Sequence, residues 1–154
     1  MFLVKNGKLQ KENFQFDLLE GYYLDTSSQT YSENKVTFKD AKGFELMVIY
    51  SKFNMPIADD FEYTKNEGEF KVFSEPTKYT INGLTAYFVT YENSNHQFFE
   101  LQIEPLKKDC DMKMSLLGCV TKDRNIIDIY KSKNMTDFIN SFEWIAPNEQ
   151  EDSK

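Results

Sequence analysis

Histidine is almost absent: His96 is the only one in 154 residues. Its neighbours are Ser94 in a turn and Glu100 further on. A general base needs an oriented partner and a nucleophile, and a serine so close in a flexible turn does not supply a triad. His96 therefore reads as an exposed turn residue. Cysteine is equally scarce, and two residues, Cys110 and Cys119, do not make a disulfide framework. With one extended strand between them they would stand roughly 30 Å apart at ~3.3 Å per residue. A disulfide needs Cα atoms within about 7 Å, so on that reading both are free thiols; a tight turn between them would reopen the pairing. Eight intervening residues are not zinc-ligand spacing either. The acidic pairs Asp59/Asp60 and Asp109/Asp111 lack the ordered oxygen ligands, glycine and closing glutamate of a calcium loop. They read as solvated charges and helix-dipole partners. No metal, cofactor or catalytic residue is expected.

Basic residues are in deficit. The net charge is −7 and the pI about 4.8. A phosphate backbone demands a basic stripe, so nucleic acid is not an expected partner. Long apolar runs are missing too, and no window approaches the ~20 residues of a membrane span. Phe2-Leu3-Val4 is far shorter than a signal-peptide core of ~7–15 residues. The expectation is a soluble cytoplasmic protein. Export or lipid anchoring is the alternative, should a native signal precede this sequence.

What is plentiful is aromatic: fourteen Phe and nine Tyr bring aromatics to 16%. They sit in short alternating runs punctuated by turns. Asn6-Gly7 and Asn82-Gly83 each predict a two-residue hairpin turn, because both positions need positive φ. Phe14, Phe16 and Leu18 share one side of a strand over 13–18. Gly21 to Leu24 bends into an extended piece, and 25–34 reads as a loop. A hairpin follows over 35–39 and 44–51, turning at Asp40 to Gly43. Phe44 to Ser51 is apolar on both faces, the mark of a covered central strand. Residues 57–68 predict a helix, with Pro56 at its start, Asp59 and Asp60 in its first turn, and Ile57 and Phe61 buried.

The stretch 79–104 predicts three strand segments. Leu84, Ala86 and Phe88 take one face, and Tyr87, Val89 and Tyr91 the other. Residues 112–121 form a further strand. Ile126 to Lys131 reads as a strand, since three isoleucines favour one. Met135, Phe138, Ile139 and Phe142 make one helical stripe, with Asn134 as N-cap and Ala146-Pro147 as its end. Residues 1–147 make a single domain, and 148–154 an acidic disordered tail. The fold class is α+β: a mostly antiparallel sheet with a helix packed on each face, an α-β-α sandwich.

Several segments in this order resemble the PsbP-like fold group, which includes the photosystem II extrinsic subunit and the bacterial DcrB-like lipoproteins. They are Phe14-x-Phe16 leading to Gly21-Tyr22-Tyr23-Leu24, then Ile81-Asn82-Gly83-Leu84-x-Ala86-Tyr87, and a final Asn140-Ser141-Phe142-x-Trp144. The resemblance spans residues 13–145. It implies a sandwich of helices and sheet and a non-catalytic accessory or binding role.

The second sheet face supplies the candidate site. Tyr87, Tyr91, Phe98 and Tyr130 would line one patch if their strands are neighbours, and tyrosine is favoured at interfaces. The functional expectation is a non-enzymatic binding module, with another protein as partner. A cytoplasmic immunity or inhibitor protein, its acidic surface set against a basic partner, is the second reading. A small hydrolase is the third.

Overall fold

The structure is a computed structural model that describes residues 2–26, 33–68, 70–106 and 111–145. Most of the expected loop over 25–34, Asp109, Cys110, the expected helix end at Ala146-Pro147 and the expected tail over 148–154 lie outside the described residues.

Two antiparallel sheets organise the described chain. Strands β1 (Leu3–Lys5), β2 (Lys8–Lys11), β3 (Phe14–Asp17) and β11 (Glu143–Trp144) form the smaller one, in that order. The larger holds β4 (Tyr23–Asp25), β5 (Lys35–Lys39), β6 (Glu45–Lys52), β10 (Met112–Thr121), β9 (His96–Ile103), β8 (Leu84–Glu92) and β7 (Thr77–Ile81), in that spatial order. The stretch 79–104 thus enters at a sheet edge. The centre belongs to β10, which pairs with β6 on one side and β9 on the other.

Local chemistry sets both tight turns. Asn6 and Gly7 sit at φ 55° and 76°, and Asn82 and Gly83 at 48° and 79°. This is the double positive φ that joins two strands without splaying them. Helix α1 (Ile57–Glu67) buries Ile57 and Phe61, as the pattern predicts.

Residues 126–130 depart from expectation. They form the short helix α2 (Ile126–Tyr130), not a strand. Asn125 decides this. Its side chain accepts from the backbone N–H groups of Ile127 and Asp128, satisfying donors that a helix start leaves open. Ile126 and Ile129 then bury at helical spacing. The last helix, α3 (Lys133–Ile139), is capped by Ser132, whose hydroxyl accepts from Met135 N–H. Asn134 lies inside it. Phe142 lies beyond the helix but is fully buried. Chain 140–142 leads into β11, which closes on β3.

One face of the large sheet carries Val36, Phe38, Leu46, Val48, Ala86, Leu101, Met114 and Leu116, all fully buried. The small sheet's Phe14 and Phe16 pack into the same cluster, as do Met135 and Phe138 of α3. Gly118 makes room there for its cross-strand neighbour Phe99; a Cβ would collide with that ring. On the other face a smaller cluster joins Ile57 and Phe61 of α1 to Val89 and Tyr91. Cover on the first face therefore comes from a second sheet as well as from helices.

Candidate functional site

Of the four aromatic residues singled out in the sequence, the structure brings three together. Tyr87, Tyr91 and Phe98 share the face beneath α1. Phe73 stacks on Tyr91 at 4.8 Å, and Tyr91 stacks on Phe98 at 5.1 Å. Phe70 closes against both. Tyr91 is buried, while Tyr87 and Phe98 are half-buried. Tyr130 is elsewhere. It stacks on Phe88 at 4.2 Å and meets Phe99 edge-on at 5.0 Å, on the opposite face. Reading 126–131 as a strand placed it on the wrong side. Helix α2 carries it across.

Beneath α1 runs a row of polar side chains. Lys113 Nζ donates to Asp60 Oδ2 at 2.8 Å and to Gln102 Oε1 at 2.6 Å. Gln102 Nε2 donates to Asp60 Oδ2 at 2.8 Å and also to Glu100. Tyr91 Oη donates to Glu100 Oε1 at 2.8 Å. Burial raises the Glu100 carboxyl above the usual range, although Gln102 and Tyr91 hydrogen bonds and the Lys113 charge oppose it. Burial, and then the Glu100 charge, also raise the Tyr91 phenol. These groups satisfy one another, and the row pins α1 to the sheet. His96 does not face a free Glu100. It begins β9, with its ring 6.2 Å from that of Phe98. Asp111 pairs with Lys52 at the surface. Among the described residues, no group of three or more His, Cys, Asp or Glu could hold a metal.

Cys119 is half-buried on β10, opposite Glu45 of β6. Burial, helped by the Glu45 charge, pushes its thiol up to about 11. Only the thiolate is nucleophilic, so a pKa some two units high leaves about a hundredth of the ordinary thiolate fraction at neutral pH. Iodoacetamide at pH 7.5 should label Cys119 about a hundredfold more slowly than a peptide thiol. The rate should climb until the pH reaches about 11. Site-resolved mass spectrometry measures both, and a plateau near pH 9 would contradict the assignment.

The open site lies at the other end of the large sheet. Edge strand β7 and helices α2 and α3 enclose a groove of about 340 Å³. Tyr79, Ile81, Tyr130 and Ile139 supply its apolar surface, with Thr136, Asn140 and Lys131 at hand. Ile81 and Ile139 are buried, whereas Tyr79 is 40% exposed. Burial raises the Tyr130 phenol, so it stays protonated as a hydroxyl donor. Asn82 fixes the two walls to each other. Its Nδ2 donates to the backbone carbonyls of Asn140 and Phe142, both at 2.8 Å. One residue therefore makes the turn and clamps the groove. Of the groove residues, sequence reasoning singled out Tyr130 alone.

The layered arrangement is a PsbP-like fold. Among solved structures, the chain is similar to the solution structure of cyanobacterial PsbP (CyanoP) from Synechocystis sp. PCC 6803. The TM-score is 0.57 at 17% identity, covering 92% of this chain and 95% of that one. At that identity the likeness concerns the fold. No family model matches the chain, and no curated protein matches its sequence.

Proposed function

We propose that this protein is a non-catalytic binding module that contacts another protein through the groove between β7 and the α2–α3 pair. The observation that carries the reading is the groove itself: apolar floor, tyrosine walls, and a lysine at hand in an otherwise acidic chain. Apolar concavities with a few polar groups are the usual form of a recognition site. The accessory role implied by the fold-group resemblance agrees with it. The aromatic cluster of Tyr87, Tyr91 and Phe98 is a weaker candidate, because Phe70, Phe73 and α1 cover much of it. The inhibitor alternative needs a basic partner, whereas the groove presents Lys131 and favours an acidic one. No described helix is long and apolar enough to cross a membrane, and a cytoplasmic location remains part of the proposal.

Affinity capture from the native host tests it, comparing the wild type with Thr136→Trp. Thr136 is exposed on α3, so the indole can fill the groove without disturbing the core. The proposal expects one stoichiometric protein partner, captured at least tenfold less by the variant. Equal capture by both, or none by the wild type, would sink it.

A further inference from the structure

The groove runs beside a free sheet edge. Strand β7 is the last strand of its sheet, and no described residue pairs with its outer side. Its pairing with β8 is Thr77↔Phe88, Lys78↔Tyr87, Tyr79↔Ala86, Thr80↔Thr85 and Ile81↔Leu84. In a two-residue hairpin the pair flanking the turn exchanges both hydrogen bonds, and such pairs alternate with non-bonded ones. Ile81, Tyr79 and Thr77 therefore spend their backbone groups on β8. Lys78 and Thr80 turn theirs outward. Strand side chains alternate, which sends Tyr79 and Ile81 toward the groove and Lys78 to the opposite face.

Resting on the binding reading above, we propose that β7 accepts an extended segment of a different protein as an eighth strand. Its alternate side chains enter the groove, and its intervening ones are acidic. The main chain of the segment bonds Lys78 and Thr80, and its apolar residues lie against Tyr79, Ile81, Tyr130 and Ile139. Strand addition of this kind takes affinity from main-chain bonds and specificity from pockets for every second side chain. Charge selects the occupant. Lys78 and Lys131 make no ion pair among the described residues, and each is exposed. Carboxylates at the intervening positions of the incoming strand lie on the Lys78 face and would give it a partner. A second copy is a poorer occupant: each chain carries a net charge of −7, and pairing two copies of β7 adds no carboxylate for Lys78. Edge strands that stay monomeric use such a lysine to discourage self-pairing.

The test selects a phage-displayed library of linear eight-residue peptides against the full chain. It then measures the enriched peptides against three forms: wild type, Thr80→Pro and Lys78→Glu. Proline at 80 removes an outward N–H and leaves the β7–β8 ladder whole. The inference expects enriched peptides that alternate apolar and acidic residues. It expects at least a tenfold loss of affinity with each variant, and new exchange protection at the Lys78 and Thr80 amides. Lys78→Glu keeps the strand chemistry, so it reports even if the proline variant folds poorly. No enrichment, peptides without alternation, affinity indifferent to both variants, or β7-mediated dimers in sedimentation would each overturn it. Should the captured partner be lost with Thr136→Trp but kept with Thr80→Pro and Lys78→Glu, the groove reading stands and strand addition falls.

Discussion

Phe16→Ala is expected to destabilise the protein by about 3–5 kcal/mol, the usual range for removing a buried aromatic ring. Phe16 is fully buried. Its ring stacks on Phe142 at 4.5 Å and meets Phe138 and Phe2 edge-on at 5.7 and 6.0 Å. Those contacts join the small sheet to the chain around α3. Nothing flexible stands ready to refill the space, because Phe138 and Phe142 are themselves locked edge to face. A domain of this size holds only about 5–15 kcal/mol in total, so the variant should lose a large share of its stability. Urea unfolding followed by circular dichroism measures the change. A loss below about 1 kcal/mol would show that this joint relaxes freely.

Lys113→Met is expected to cost about 3 kcal/mol. Its ammonium is nearly buried beneath α1, paired with Asp60 and hydrogen-bonded to Gln102. Methionine fills the stem but removes the charge, leaving Asp60 and a raised, partly buried Glu100 without a cation. The Asp60→Asn background should shrink the cost by at least about 1 kcal/mol, since the pair is then already broken. Exchange of the α1 amides should rise more than that of β5 and β6. A cost that stays the same in both backgrounds would mean the pair contributes nothing specific.

The parts of this fold legible in the sequence are those set by neighbours in the chain. Both Asn-Gly turns, the limits of β10 and the buried side of α1 follow from local rules. The reading failed where the deciding contact was specific or distant. Three isoleucines point to a strand, whereas the Asn125 cap makes the segment helix α2. The small sheet closes through β3 and β11, joined side chain to side chain between Gln15 and Glu143 across 128 positions; no local pattern announces it. The candidate groove was hidden for the same reason. Tyr79 and Ile81 look like any hairpin strand until the sheet order shows β7 to be an edge. Gln102 and Lys113, polar residues on strands, gave no sign that α1 would cover them.

The closure of β3 on β11 also imposes an order on synthesis. Phe16 leaves the ribosome early, but Phe138 and Phe142, which cap its ring, are made more than a hundred residues later. Until then the first hairpin carries bare aromatic surface, and an isolated hairpin is marginal in water. The small sheet is therefore completed only once β11 has been made, although β1 to β3 precede every other described strand in the chain.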